Sequence, residues 1–176
     1  TDGARLDGVA AFEIAPAWTV TTAADISYTK DTFGDYTRGS AEAHLTKSFA
    51  NDIRAGGFLA ITDIGGEENV TVGAEVQKYY ASTTLTAVAS YTDFYNDDMW
   101  SIGADASYYI NPSMRLNAGV NYATLDTPYF DMEGVSYGAG AEYQFANSPF
   151  SVSGQYVRSD IEGLDIDQVS IGVRYN

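Results

Sequence analysis

The chain has 176 residues, a formal net charge of −15 at pH 7 and no cysteine. Such acidity excludes nucleic acid as a partner, because polyphosphates select for Lys and Arg, and the absent thiol excludes disulfide frameworks and thiolate metal centres. No stretch approaches the ~20 uninterrupted apolar residues of a membrane helix. An aromatic content of 14%, with Gly 17 and Pro 4, favours strands over helices.

In chain order, Trp18, Val20, Thr22, Ala24, Ile26 and Tyr28 alternate with Thr19, Thr21, Ala23, Asp25 and Ser27. The same split follows in Val70, Val72, Ala74 and Val76 against Thr71, Gly73, Glu75 and Gln77, and in Trp100, Ile102, Ala104 and Ala106 against Ser101, Gly103, Asp105 and Ser107. Met114 to Tyr122, Val135 to Phe145 and Val169 to Tyr175 repeat it. Period two with sharply different faces predicts strands, about eleven of them in one all-β domain over residues 1–176.

Tight turns are predicted at Ala15-Pro16-Ala17, Ala50-Asn51-Asp52, Ala81-Ser82-Thr83, Asn111-Pro112-Ser113 and Asn147-Ser148-Pro149. Longer acidic loops are predicted at Lys30–Tyr36, Asp63–Asn69, Asp93–Asp98, Asp126–Glu133 and Ser159–Asp167. Short turns on one side and longer polar loops on the other form the asymmetry of an up-and-down transmembrane β-barrel.

In a soluble barrel the polar face meets water and is crowded with Lys, Glu and Asp. Here Gly, Ser, Thr and Asn dominate it, with isolated charges at Glu13, Asp25, Glu42, His44, Arg54, Glu75, Asp105, Arg115, Glu142 and Arg174. These ten are the expected lumen lining. On the apolar face Trp18, Phe49, Tyr80, Phe145, Phe150 and Tyr175 fall near the tight turns, and Tyr28, Tyr91, Phe94, Tyr122 and Tyr156 near the loops. Aromatic belts at two wet interfaces bounding an aliphatic band are what a lipid slab selects. Lys47 and Lys78 share the apolar face close to the turns, where a long stem carries the ammonium to the interface.

The closing run Val169-Ser170-Ile171-Gly172-Val173-Arg174-Tyr175-Asn176 resembles the terminal strand of bacterial outer-membrane β-barrel proteins, small porin-like ones in particular, and the resemblance extends over the whole chain. It implies a Gram-negative outer-membrane location. That signature ends on an aromatic residue, whereas Tyr175 is penultimate here, so a further outward aromatic is expected after Asn176. Single-chain bacterial barrels have an even strand count, so at least one strand is expected before Thr1, giving about twelve; the alternative is the last part of a larger porin.

No catalytic constellation is expected. His44 is the sole histidine and faces inward with Ser40 and Ser48, whereas a lipid-cleaving barrel presents its Ser and His outward. Clustered carboxylates at Asp31 and Asp35, at Asp63, Glu67 and Glu68, at Asp93, Asp97 and Asp98, at Asp126, Asp131 and Glu133, and at Asp160 through Asp167 are hard-oxygen ligands suited to Ca²⁺ or Mg²⁺, but none has EF-hand spacing and a solvated anionic rim is the preferred reading. No other cofactor is implied. The leading function is a passive channel for small hydrophilic solutes or cations. The alternative is a non-conducting barrel touching lipopolysaccharide, a surface layer or another protein, a second copy included. Two alternatives stay open at this level: lumen glycines opening space or relieving crowding, and lumen charges forming a selectivity lining or a salt-bridged plug.

Overall fold

The computed structural model describes residues 2–31, 34–64, 66–94, 97–127 and 130–175, with positions 2, 3, 5, 30, 31, 34–36, 64 and 94 described by backbone alone. Period-two patterning becomes eleven antiparallel strands: β1 (Asp2–Ala15), β2 (Trp18–Asp31), β3 (Gly34–Phe49), β4 (Ile53–Ile64), β5 (Glu67–Tyr79), β6 (Thr83–Phe94), β7 (Asp97–Asn111), β8 (Met114–Asp126), β9 (Asp131–Gln144), β10 (Phe150–Ile161) and β11 (Leu164–Tyr175). They pair in sequence order in one up-and-down sheet. Among the described residues β1 and β11 do not touch, so the sheet is open between them.

The predicted asymmetry of long loops and short turns is corrected. The ladders run into the acidic segments, leaving connections of only 32–33, 65–66, 95–96, 127–130 and 162–163 at that end, against 16–17, 50–52, 80–82, 112–113 and 145–149 at the other. Glu162 and Gly163 both take positive φ, 51° and 82°, between the paired Ile161 and Leu164. That is the left-handed pair of a two-residue hairpin whose twist matches the strands, where Ser159–Asp167 had suggested an open loop. Asp160 fixes it by accepting from the Gly163 N–H at 3.0 Å, and Asp63 does the same for Gly66 at 3.3 Å. Strands of 12 to 16 residues exceed the ~9–11 that cross a bilayer, so the acidic ends are ladder that projects beyond the slab.

Burial is inverted relative to a water-soluble sheet. Among the described residues no hydrophobic side chain is buried, whereas Thr46, Asn69, Thr92, Ser107 and Ser151 are. Along β5, Asn69, Thr71, Gly73, Glu75 and Gln77 are shielded while Val70, Val72, Ala74 and Val76 are exposed, and β7 repeats the pattern with Ile102 at 60% exposure. Continuous apolar surface on this scale calls for lipid.

The polar face is the concave one. His44 on β3 reaches Glu75 on β5 at 2.9 Å, and Arg174 on β11 reaches Glu142 on β9 at 3.8 Å, each pair over an intervening strand. Neighbouring strands lie ~4.8 Å apart, so such pairs meet only where side chains converge.

Curvature leaves no room for a side chain at Gly56, where an added Cβ would collide with the Leu45 carbonyl and crowd Thr46, whereas at Gly8 it would meet nothing within 4 Å. Gly56→Ala is expected to destabilise the folded barrel by about 2–3 kcal/mol, because the obstacle is backbone, and Gly8→Ala by less than ~0.5 kcal/mol. Urea titrations of folded protein in vesicles measure both.

Candidate channel wall

The ladder register puts all ten predicted lining residues on the concave face. Glu13 stands opposite Thr19, which continues through Thr46 and Gly56 to Glu75. Arg54 continues through Gln77 and Thr86 to Asp105. Arg115 faces Glu142, while Arg174 lies opposite Ser151.

The sheet gathers six of the ten into two clusters. In the first, the His44 Nδ1–H donates to Glu75 at 2.9 Å, its Nε2 stands 3.6 Å from Glu42, and its ring stacks on Phe58 at 5.0 Å between centroids. In the second, Glu142 accepts from Arg115 at 2.6 Å and from the buried Ser151 hydroxyl at 2.7 Å, with Arg174 at 3.8 Å. Of the other four, the Arg54 Nε–H donates to Thr46 at 2.7 Å and Asp25 accepts from Ser40 at 2.5 Å. Glu13 and Asp105 have no ion-pair partner among the described residues. Ser40, on the same face as His44, thus serves Asp25 rather than the imidazole.

Every described ion pair runs along the wall, within a strand or between strands at most two apart. None crosses the concavity. Hydroxyl pairs do likewise: Thr71 with Thr92 at 2.8 Å, Ser90 with Ser101 at 2.7 Å and Ser136 with Ser159 at 2.8 Å.

Phe58 was not legible as a wall residue, because Gly56-Gly57-Phe58-Leu59 does not alternate. Register places it between His44 and Gly73. Its ring covers Gly73, whose absent Cβ would otherwise collide with it. The Asn121 amide lies over Gly103 in the same way, 2.9 Å from where a Cβ would stand, and Asn117 over Gly140 at 2.8 Å. The glycines therefore do both things at once: they accept a neighbour's side chain against the wall, and so keep it out of the lumen.

The six predicted turn-side aromatics all sit at strand ends or beside them, with Phe150 edge-on to Tyr175 at 5.3 Å. Lys47 lies over Trp18 and Phe49, and Lys78 over Tyr80, at 5.3 to 5.5 Å, which anchors both ammonium groups in the belt. Lys78 also donates to the Asn51 carbonyl.

At the acidic end the outer face carries a repeat that the sequence reading missed. Tyr91 donates to Asp98 at 2.5 Å and Tyr156 donates to Asp167 at 2.5 Å, and Tyr122 has Glu133 at the equivalent place. In each hairpin the carboxylate stands two residues beyond the tyrosine's ladder partner (Trp100, Val135, Val169) toward the connection. Arg158 joins the last pair through Asp165 and Asp167.

The carboxylates expected to hold Ca²⁺ or Mg²⁺ divide between faces. Asp63 opposes Glu68 on the outer side with Asp98, while Glu67 and Asp97 occupy the concave side. Among the described residues no three acidic or imidazole groups gather as metal ligands do. The side chains of Asp31, Asp35 and Phe94 lie outside the described residues.

A family model described as "Outer membrane protein beta-barrel domain" matches residues 8–176. The chain belongs to that family. Its place is the bacterial outer membrane, where the exposed apolar face meets lipid. No curated protein matches the sequence. Among solved structures, an outer membrane channel from Pseudomonas putida F1 superposes with a TM-score of 0.79 at 12% identity, over 97% of this chain and 81% of that one. The KdgM porin, in complex with disordered oligogalacturonate, gives 0.72 at 6% identity over 99% and 97%. A loop-deletion mutant of OmpT from Vibrio cholerae gives 0.64 at 18% identity over 96% of this chain, which spans 62% of that one. At these identities the likeness is one of fold.

Two predictions follow from the contacts of this barrel. A double-mutant cycle on Arg115→Ala and Glu142→Ala is expected to give a coupling of about 1–2 kcal/mol, reduced from a fully buried charged hydrogen bond because Arg115 is partly wet; unfolding in vesicles measures it. Removing the rim hydroxyls in a Tyr91→Phe, Tyr156→Phe variant is expected to move the urea midpoint to a lower concentration than that of the wild type. Asp98→Asn added to Tyr91→Phe should then cost little more, which the same titration checks.

Proposed function

We propose that this sheet is the wall of a passive outer-membrane channel for small hydrophilic solutes and ions, with cations preferred. The observation that carries the proposal is that charged groups on the concave face pair along the wall and none bridges it among the described residues. A plugged barrel uses the same residue types to span its interior. Arg115 and Arg174 both serve Glu142, and Arg54 turns to Thr46. Glu13 and Asp105 are left without an ion-pair partner among the described residues, and with Asp7 they outnumber Arg38, which the register also sets on the concave face; this net negative charge raises the local cation concentration. Likeness to barrels named as a channel and as a porin supports the reading.

The acidic end is the outward one. There the Tyr91, Tyr122 and Tyr156 pairs meet the headgroup layer, lipopolysaccharide being the lipid at that level, while Lys47 and Lys78 sit in the opposite leaflet's interface. Conduction requires the β1 and β11 edges to be bridged, so that the polar face encloses water.

Single-channel recording of the refolded full-length protein in planar bilayers tests this. Wild type should give discrete steps with cation selectivity, and Glu13→Gln with Asp105→Asn should cut the cation-to-anion permeability ratio by ~2-fold or more. A silent bilayer containing protein of verified fold would overturn the channel.

A further inference from the structure

We propose that the concave trough over β7 to β10 is a subsite for an uncharged polyhydroxylated solute, a sugar of one or two rings. The proposal deepens the channel reading and rests on it only for access from water.

The trough measures about 330 Å³, floored by Gly103, Gly119 and Gly138, at the small end of ligand-binding cavities. Around it stand Asn117, Asn121 and Gln155, with Asp105 and Thr86 toward β6. Parts of the wall satisfy themselves, as the His44, Glu142 and paired-hydroxyl contacts show. The trough is not one of them. Among the described residues the side chains of Asn117, Asn121 and Gln155 have no protein hydrogen-bond partner. Each amide keeps its two donors unused, and Gln155 keeps its acceptor as well, whereas the Asn117 and Asn121 oxygens lie against Gly140 and Gly103.

That inventory selects the ligand. Sugar hydroxyls both donate and accept, so they complement amides in either direction, and Asp105 adds one strong acceptor. No ammonium or guanidinium lines the trough, so a carboxylated or phosphorylated solute would find no counter-charge. A single carboxylate gives a divalent cation little charge compensation, and the Asn117 and Asn121 oxygens that could add to it lie against Gly140 and Gly103. Val88 and Val157 offer apolar surface to the C–H face of a pyranose ring. The amides are also preorganised, because Asn121 is laid flat over Gly103 and Asn117 over Gly140, which lowers the ordering cost of binding.

The test is a binding measurement that does not depend on conduction. Refolded full-length protein in a non-glycosidic detergent is titrated with sucrose, and separately with glucuronate, by calorimetry and saturation-transfer NMR, with folding verified by the heat-dependent shift in electrophoretic mobility. Sucrose is expected to bind, and an Asn117→Ala, Asn121→Ala double variant to weaken it by about tenfold or more. Gly103→Ala, which leaves every charge in place but displaces the Asn121 amide, should weaken it as well. Sucrose affinity equal in wild type and double variant would overturn the subsite. So would glucuronate binding more tightly than sucrose, or no sucrose binding by folded protein. A silent bilayer with sucrose binding intact would sink conduction alone; cation-selective steps with no sucrose binding would sink the subsite alone.

Discussion

A hydrocarbon slab offers a backbone amide no hydrogen-bond partner, so every N–H and C=O that crosses it must be met by a neighbouring strand. The sequential order of the sheet answers that demand with the shortest connections, each strand returning beside the last. The same demand sorts the side chains. Once the ladder occupies the plane of the wall, period two leaves one face for lipid and one for water, which is why Ile102 is exposed and Asp105 shielded on a single strand. It also makes the β1 and β11 edges the unmet part of the structure, and the most exposed apolar side chains, Ile171 among them, gather there.

What alternation encodes was legible in the sequence. Most strand positions and the ten predicted lining charges follow from residue type at every second position, since a one-residue slip would turn Glu75 or Arg115 into lipid; Asp7, Arg38, Glu67 and Asp97 share that face without having been singled out as lining. What pairing encodes was not. The acidic strand ends read as loops because ladder in water carries the same residues that loops do, and the dipeptides Gly65-Gly66 and Glu162-Gly163 are what mark two-residue connections there. Phe58 is a wall residue because it stands opposite His44, a fact held by the β3–β4 register rather than by its neighbours in sequence. For the same reason charge type alone could not tell that Arg54 would choose Thr46 over a carboxylate, or that Tyr91, Tyr122 and Tyr156 would each find an acid on the following strand.

Glycine and large side chains on the concave face behave as reciprocal pairs. Phe58 lies over Gly73, Asn121 over Gly103 and Asn117 over Gly140. A barrel interior filled by upright side chains is a packed core. Laying those side chains down requires the adjacent position to lack a Cβ, so the glycines thin the wall and clear the lumen in one step, at the cost of the backbone freedom that glycine surrenders on folding. At these three positions the two roles open at the level of sequence coincide.

The pattern of satisfied and unsatisfied groups then separates wall from binding surface. A polar group facing a narrow, partly desolvated lumen costs free energy unless it is partnered, and most of this wall has met that requirement from its own neighbours: serine to serine, threonine to threonine, Glu142 to two arginines and a serine. Groups satisfied in this way contribute to stability and have little left for a solute. Asn117, Asn121 and Gln155 have no described neighbour that takes their donors, and they converge on a floor formed by Gly103, Gly119 and Gly138. Water can occupy such a place in an open channel, and a solute displaces it favourably only by reproducing the same mixed donor and acceptor pattern. That condition is met by a hydroxylated ring and by neither an anion nor a bare cation, so the selectivity of the trough arises from the groups that the wall leaves unpaired.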